Sequence, residues 1–221
     1  MSKYGNIVIP TYVVRTLELQ ESESNIRQQF GQHMEFGVRV VERTITEKDK
    51  DGLWATFCKA VHEVAAKGED DLFVFCRDDI RFTSSYDRDT FIENIIEAGS
   101  KETHILCGDA ADFGCAVPIG RQLSWIDWIK DSRLMVVFRS AYGKILELSE
   151  RDEPLENVLS KAIPNKLLIY PFIAEKQQRE PSEQDIVATV PHLKPSARVR
   201  MEKLWGMYKF FREKNAKKIN D

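Results

Sequence analysis

Short apolar runs without polar alternation mark the buried strands of this chain. Residues 72–76 are all apolar, which is typical of a central strand in a mainly parallel sheet whose two faces are both covered. Apolar runs predict further strands at 7–9, 104–107, 134–138 and 167–170, and the apolar positions 36, 38, 40 and 41 predict another at 35–43. The first of these ends at Pro10, so we expect a loop there, and residues 108–120, rich in small residues, predict another loop.

Apolar residues at helical spacing lie between these runs. Leu53, Phe57, Val61 and Val64 recur along one helix face, and Gly68 supplies a C-terminal stop. Further helices are predicted at 17–30, 89–98, 141–148 and 154–162. The alternation predicts an α/β fold with an open, mainly parallel sheet flanked by helices. Ligands bind such sheets just outside the carboxyl ends of the strands.

The C-terminal part of the chain differs from the rest. Residues 181–195 are polar and punctuated by proline, and residues 198–218 carry eight basic and two acidic side chains, a net charge of +6. Met201, Leu204, Trp205, Tyr208 and Phe211 form one stripe of a helix. We therefore predict a catalytic domain at 1–180, and a linker with a basic amphipathic C-terminal helix at 181–221. The helix suits either docking on the domain or an anionic membrane surface.

Composition narrows the class of protein. The 221 residues are 43% hydrophobic and 30% charged, as in a soluble globular protein. A net charge of −3 argues against a nucleic-acid partner. We read no signal peptide and no apolar run of about 20 residues. The expected location is therefore the cytoplasm, with the inner membrane face as a peripheral site if the C-terminal helix binds lipid.

Two adjacent carboxylates, Asp78 and Asp79, follow the central strand directly. Their negative charge at the end of a buried strand needs compensation. A divalent cation bridging to a diphosphate would provide it, because Mg²⁺ and Mn²⁺ prefer carboxylate and phosphate oxygens. Ion pairs with Arg77 and Arg81, or capping of the following turn, would provide it equally well.

The segment 73–82 resembles the signature of lipopolysaccharide-type glycosyltransferases with the GT-A fold (family 25-like), an apolar strand followed by Glu-Asp-Asp, two residues and Phe. The glycine-led segment 52–59 lies where those proteins place a helix. Segments 114–118, 125–128 and 170–173 are similar to a subgroup of glycosyltransferases from Bacteroidetes. The resemblance covers about residues 5–178 and implies a GT-A-like fold.

The resemblance also implies a function. A nucleotide-sugar donor would lie over the strand ends, and its sugar would pass to a glycan or lipid-linked acceptor in surface polysaccharide synthesis. Asp79 matches the metal ligand for Mn²⁺ or Mg²⁺, and Asp78 matches the position that faces the ribose or sugar. Arg77 departs from the pattern, which has an acid there. Its guanidinium could bind the diphosphate, or it could mark weakened metal binding in a non-catalytic nucleotide- or glycan-binding relative.

Five further residues are donor-binding candidates. Pro10, Thr11 and Arg15 follow the first strand, where this fold meets the nucleotide, and Glu42 ends the second strand, where it could accept hydrogen bonds from base or ribose. Lys59 lies on the following helix and could reach phosphate. The alternatives are a polar loop, a solvated glutamate, and a lysine that extends to the surface.

Trp125, Asp127 and Trp128 form the last candidate group. Aromatic faces cover the apolar side of a sugar, so both tryptophans are candidates for acceptor or sugar stacking. Transfer also needs a base that deprotonates the acceptor hydroxyl, and Asp127 is the candidate catalytic residue. Alternatively, the tryptophans are core residues and Asp127 pairs locally.

Overall fold

The computed structural model describes residues 3–16, 18–45, 52–151, 153–177 and 195–220. Its strands are β1 (Ile9–Val14), β2 (Phe36–Val41), β3 (Leu72–Arg77), β4 (Ile80–Phe82), β5 (Ile105–Cys107), β6 (Asp112–Phe113), β7 (Ala116–Pro118), β8 (Leu123–Ile126), β9 (Ile129–Lys130), β10 (Leu134–Phe138), β11 (Lys166–Ile169) and β12 (Ala174–Lys176). The helices are α1 (Leu19–Phe30), α2 (Leu53–Lys67), α3 (Arg88–Gly99), α4 (Tyr142–Glu147), α5 (Leu155–Ala162) and α6 (Ala197–Asn220), and a 3₁₀ turn (Arg139–Ala141) precedes α4.

Eight strands form the main sheet in the order β2-β1-β3-β10-β5-β11-β8-β7. Strands β2, β1, β3, β5, β11 and β7 run in one direction, while β10 and β8 run in the other. The sheet is open, with helices on both faces. The prediction of an α/β fold with a mainly parallel sheet flanked by helices is confirmed.

Strand β3 has a continuously apolar sequence because both of its faces are buried. Phe73 and Phe75 face a core layer that contains Phe57 of α2, whereas Val74 and Cys76 face the opposite layer. All five of these side chains are buried. Because successive side chains of a strand point to opposite faces, both faces of β3 need apolar residues.

The predicted bounds of the first strand are wrong. Strand β1 begins at Ile9 and continues to Val14, so Pro10 and Thr11 lie inside the strand rather than in a loop after it. Proline fits there because pairing with β3 begins only at Thr11, opposite Val74. The missing amide N–H of Pro10 would therefore point to a side that is not yet paired, and the proline does not end the strand.

The predicted loop at 108–120 is wrong in part, because it contains β6 and β7. Strand β6 pairs with β9, and β7 joins the edge of the main sheet beside β8. A second small sheet joins β4 to β12. Strands of two or three residues carry too little apolar periodicity to be recognised in a sequence.

The first half of α6 docks on the domain, as one of the two alternatives for this helix predicted. Met201 and Trp205 are buried in the core, and Trp205 Nε1 donates to Ser124 Oγ at 3.1 Å. Arg200 Nη2 donates to the carbonyl oxygens of Phe113 and Gly114 at 2.7 and 2.9 Å. The predicted boundary at 180/181 and most of the linker lie outside the described residues, so this division stays a prediction.

None of the helices in the described part of the chain combines the length and the apolar character that a membrane span requires.

Candidate functional site

A cleft of about 500 Å³ opens at the carboxyl ends of the parallel strands β1, β2 and β3. Its walls come from the segments after these strands, from the first turns of α2 and α5, from the connection between β9 and β10, and from the end of β12. The described residues that line it are Thr16, Arg43, Leu53, Arg77, Asp79, Lys130, Asp131, Glu156, Lys176 and Gln177.

Two arginines and two aspartates form a network at the floor of this cleft. Arg77 Nε donates to Asp79 Oδ1 at 3.0 Å, and its Nη2 donates to Asp79 Oδ2 at 2.9 Å. Its Nη1 donates to Asp131 Oδ1 at 2.9 Å. Arg133 Nη1 lies 2.6 Å from the same Asp131 oxygen, and its Nη2 lies 3.8 Å from Asp79 Oδ2. We call Arg77, Asp79, Asp131 and Arg133 the arginine–aspartate network.

The network is largely shielded from water, which makes its charges interact strongly. Arg133 is 2% exposed and Asp79 is 4% exposed. Burial alone would lower the pKa of Arg77, but the negative charges of Asp79 and Asp131 outweigh it and raise that pKa above its ordinary value. The guanidinium therefore stays charged.

The antiparallel direction of β10 brings the two halves of the network together. Leu134, the first residue of β10, lies opposite Cys76 near the end of β3. The residues before β10 consequently lie at the same edge as the residues that end β3. The amide of Arg77 donates to the carbonyl oxygen of Arg133 at 3.0 Å, which fixes this contact.

Asp109 holds residues 132–134, which lead into β10, in place. Its Oδ1 accepts from the amides of Arg133 and Leu134 at 2.7 and 3.2 Å, and from Ser132 Oγ at 3.1 Å. Burial raises the pKa of this carboxyl to about 6, although the hydrogen bonds and the Arg133 charge favour the ionised form. Asp109 is therefore a buried, positioning group of the site.

Asp78 has a structural position rather than a place in the cleft wall. Its side chain is buried, and Oδ1 accepts from both the amide of Thr16, at 2.8 Å, and the Thr16 hydroxyl. Asn25 Nδ2 donates to the carbonyl oxygens of Asp78 and Ile80 at 2.6 and 2.8 Å. These contacts tie the segment after β1, and α1, to the end of β3. The donor-binding role of Asp78 stays a prediction.

Asp79 does not fit the expected Mn²⁺ or Mg²⁺. Both of its oxygens accept from Arg77, so a cation would have to displace a bidentate guanidinium. Within the described ranges, no three His, Cys, Asp or Glu side chains cluster so that they could hold a metal ion. Of the alternatives for the acidic turn, the ion pair with Arg77 is the one observed. Arg81 instead pairs with Glu175, with Nε at 2.9 Å from Oε1.

Pro10 and Thr11 lie away from the cleft lining. Thr11 is buried in the middle of β1, and its hydroxyl donates to the carbonyl oxygen of Ile9 at 2.9 Å. Both residues were expected in a loop at a strand end, but β1 ends at Val14, five residues later than predicted. Thr16, which the sequence reasoning missed, takes the position at the cleft.

The other predicted donor residues lie near the strand ends but not in the described cleft lining. Arg15 pairs with Glu42 through Nη1 and Oε1, so the structure brings these two candidates together. Lys59 Nζ donates to Thr44 Oγ1 at 2.9 Å on the outer side of α2. Their roles in donor binding stay predictions.

The group around Trp125 is also separate from the cleft lining. Trp125 Nε1 donates to the carbonyl oxygen of Pro164 at 3.1 Å. Asp127 Oδ1 accepts from the amide of Trp128 at 2.8 Å, and the indole of Trp128 is half-exposed. Trp125 packs partly against the core. The positions of Trp125 and Asp127 therefore agree with the alternative of a core tryptophan and a locally paired aspartate. The stacking and base roles stay predictions.

Three basic side chains of the cleft wall were not predicted from the sequence. Arg43, Lys130 and Lys176 are exposed, and none of them forms an ion pair with a carboxylate in the described part of the chain. Arg43 follows β2 directly. Because ligands bind such sheets just outside the carboxyl ends of the strands, Arg43 could have been predicted from the sequence. Lys130 and Lys176 lie on strands too short to recognise, and no sequence signal marks them.

No protein-family model matches the chain, and no curated protein is similar to it in sequence. Among solved structures, the chain is similar to a glycosyltransferase involved in the glycosylation of the major capsid of PBCV-1, with 10% identity, a TM-score of 0.45, and coverage of 74% of this chain and 82% of that one.

It is also similar to A197 from STIV, with 9% identity, a TM-score of 0.47 and coverage of 85% and 100%. A third similar structure is apo UDP-glucose pyrophosphorylase, with 9% identity, a TM-score of 0.40 and coverage of 73% and 72%. Membership of family 25 or of the Bacteroidetes subgroup stays a prediction.

The buried carboxyl of Asp109 predicts a pH-dependent stability difference. Its pKa is about 6 in the folded chain against an ordinary value of 3.8, so protonation stabilises the fold below about pH 4. That contribution is lost as the pH rises through 6. Relative to Asp109→Asn, whose amide oxygen keeps the acceptor role, the wild type should lose about 2 kcal/mol of unfolding free energy between pH 4 and pH 7.

Urea unfolding of both proteins across this pH range measures that difference, and the other titrating groups cancel in the comparison. A difference that stays constant from pH 4 to pH 7 would show that Asp109 titrates normally.

Proposed function

We propose that this protein is a glycosyltransferase that moves a sugar from a nucleotide-diphosphate donor to a glycan or lipid-linked acceptor. Its role would be surface polysaccharide synthesis at the cytoplasmic side of the membrane. The observation that carries the proposal is the cleft at the carboxyl ends of β1, β2 and β3, whose wall presents Arg43, Lys130 and Lys176 without carboxylate partners in the described chain.

The charge of the cleft suits a diphosphate. The carboxylates of Asp79 and Asp131 are already neutralised by Arg77 and Arg133. The three remaining basic side chains, against the one carboxylate of Glu156, leave the wall positive. The first turn of α2 also borders the cleft, and the positive end of a helix dipole favours anions. A volume of about 500 Å³ lies in the range of small-molecule sites.

The same groups would assist the reaction. Negative charge develops on the leaving nucleotide diphosphate as its bond to the sugar breaks, and cations placed in advance stabilise that charge. Lys130 and Lys176 lie on β9 and β12, two short strands that are each paired in an antiparallel sheet. Their backbones are thereby held in place, as pre-organised stabilisation requires.

Glu156 is the carboxylate that we propose as the base for the acceptor hydroxyl. It lines the cleft from the first turn of α5, and its charge contributes to the raised pKa of Arg77, so it lies close to the network. Asp79 and Asp131 are engaged by arginines. Asp127, the base expected from the sequence, lies outside the described lining.

A second candidate function is a non-catalytic protein that binds nucleotides or glycans. The bidentate pairing of Arg77 with Asp79 favours it, because the acid that would carry a metal is occupied. Hydrolysis of a bound nucleotide sugar by the wild type, lost in Glu156→Gln, would exclude this alternative.

The donor cleft is tested by removing its cations. Lys130→Met and Lys176→Met should each weaken binding of UDP- and GDP-sugars about tenfold to a hundredfold, the cost of one charged hydrogen bond. CMP-sugars, which have one phosphate, should bind more weakly than either. Isothermal titration calorimetry measures all three classes.

Lys101→Met is the matched control, because Lys101 precedes β5 and lies at the amino ends of the strands, where it faces Glu97 at 3.7 Å. Its affinity should equal that of the wild type. If no member of the panel binds the wild type, the proposed function is wrong.

The proposed base is tested with Glu156→Gln. This change keeps the size of the side chain but removes its ability to accept a proton, so the rate of donor hydrolysis should fall about 10²- to 10⁴-fold. Affinity for the donor should stay within about threefold of the wild type. Asp127→Asn serves as the comparison, and a larger loss of rate in that variant would return the role to Asp127.

A further inference from the structure

Arg77 replaces an acid of the family pattern, and its ion pairs bear on which cations can neutralise a ligand in the cleft. We infer that the cleft binds a nucleotide diphosphate without a divalent metal, and that protein cations neutralise the phosphates. The inference rests on the proposed function and specifies the chemistry of that same site.

The first argument is that the expected metal position is already filled by a cation. Arg77 donates to both oxygens of Asp79, at 3.0 and 2.9 Å, and Arg133 lies 3.8 Å from one of them. A divalent ion at Asp79 would either stand against these guanidinium groups or expel them. Breaking a shielded ion pair costs free energy, a cost that an acidic motif without arginine does not carry.

The second argument is that Arg77 also pairs with a second aspartate, Asp131. Its third nitrogen, Nη1, donates to Asp131 Oδ1 at 2.9 Å, and Arg133 Nη1 lies 2.6 Å from that same oxygen. Displacing Arg77 would therefore disturb both aspartates at once. The negative charge of the acidic turn is balanced within the fold before any ligand arrives.

The third argument concerns the phosphates. Each phosphate of a nucleotide sugar carries one negative charge, and the wall of the cleft offers Arg43, Lys130 and Lys176. The guanidinium of Arg43 can bind a phosphate through two parallel hydrogen bonds, whereas the lysines act as point charges. These three cations are enough to neutralise the two phosphate charges that a divalent ion would otherwise neutralise.

The wild-type protein tests this inference directly. UDP binding is measured by calorimetry in EDTA and again in Mn²⁺, and direct Mn²⁺ binding is followed by electron paramagnetic resonance without nucleotide. We expect UDP affinities that differ less than about threefold between the two conditions. We also expect that no Mn²⁺ signal is lost to the protein at micromolar concentrations.

The possible results separate the two claims. Binding of UDP only in the presence of Mn²⁺ would overturn the metal-independent site but leave the proposed function standing. Absence of UDP binding in both conditions would overturn the proposed function and, with it, this inference.

A different observation concerns the second half of α6. Beyond Trp205 the helix carries exposed apolar side chains, with Met207 57%, Phe210 61% and Phe211 58% exposed. Lys203, Met207, Phe210 and Lys214 are spaced i, i+4, i+7 and i+11, so they share one face. We call these four residues and Phe211 the lysine–phenylalanine stripe.

This stripe is distinct from the docked side of the helix. Met201 and Trp205 are buried, and Tyr208 packs partly against the same core. These three positions face about 140° away from the centre of the lysine–phenylalanine stripe, at about 100° per residue. Docking on the domain therefore uses one apolar face and leaves the other exposed.

We propose that the lysine–phenylalanine stripe lies on an anionic bilayer. Lysines can extend to lipid headgroups while aromatic side chains enter the boundary with the acyl chains. Charge favours the same occupant, because residues 198–218 carry +6 in a chain whose net charge is −3. The remainder of the protein is thus acidic and would be repelled by such a surface, which orients the protein with α6 toward it.

The test is co-sedimentation with vesicles of phosphatidylcholine alone and of phosphatidylcholine containing phosphatidylglycerol. The full chain should bind the anionic vesicles and not the neutral ones. The double variant Phe210→Ser, Phe211→Ser should reduce the partition coefficient at least about tenfold.

The matched control is the double variant Leu19→Ser, Ile96→Ser, which removes two exposed apolar side chains from other helices and should bind as the wild type does. Equal binding by both double variants would overturn the proposal. So would self-association of the wild type in ultracentrifugation that the phenylalanine variant abolishes without any vesicle binding, since the occupant would then be a second copy of the chain.

Discussion

The bidentate pairing of Arg77 with Asp79 is the interaction on which the rest of the site depends. It neutralises a carboxylate at the end of a buried strand, where an unpaired charge would cost several kcal/mol. It also decides the character of the cleft. With the acidic turn balanced inside the protein, Arg43, Lys130 and Lys176 outnumber Glu156 among the other charged groups of the cleft wall. We propose on this basis that the site favours an anion over a metal cation.

This pairing requires the antiparallel strand β10 between β3 and β5. A parallel strand in that place would put its first residues at the opposite edge of the sheet. Because β10 runs the other way, Asp131 and Arg133 lie beside Arg77. Asp109 holds this segment in place by accepting hydrogen bonds from the amides of Arg133 and Leu134 and from the Ser132 hydroxyl. The network therefore follows from topology as much as from the local sequence.

The sequence was sufficient for the fold class and for one part of the site. The unbroken apolar run of β3 and the spacing of Leu53 to Val64 in α2 predicted a covered sheet, and the strand-end rule pointed to Asp79 at the cleft. Arg77, the residue that departs from the family pattern, forms the ion pair with Asp79. The ion-pair alternative for the acidic turn, open in the sequence, is the one that the structure contains.

The remaining parts depend on contacts between distant segments. Nothing in the sequence shows that β10 is antiparallel, so Asp131 and Arg133 could not be placed beside Arg77. Lys130 and Lys176 belong to strands of two and three residues that exist only through their partners. Pro10 misled the assignment of β1 because a proline ends a strand only where its amide would be needed. Asp127 and Trp128 looked like a sugar site from composition alone, yet they lie outside the described cleft lining.

The central claim is that protein cations, not a metal at Asp79, hold a nucleotide diphosphate in this cleft. A crystal structure of the protein soaked with UDP and Mn²⁺ tests it most directly. We predict a diphosphate in contact with Lys130 and Lys176, with Arg77 still paired to Asp79. A manganese ion bound between Asp79 and the diphosphate, with Arg77 displaced, would contradict the claim.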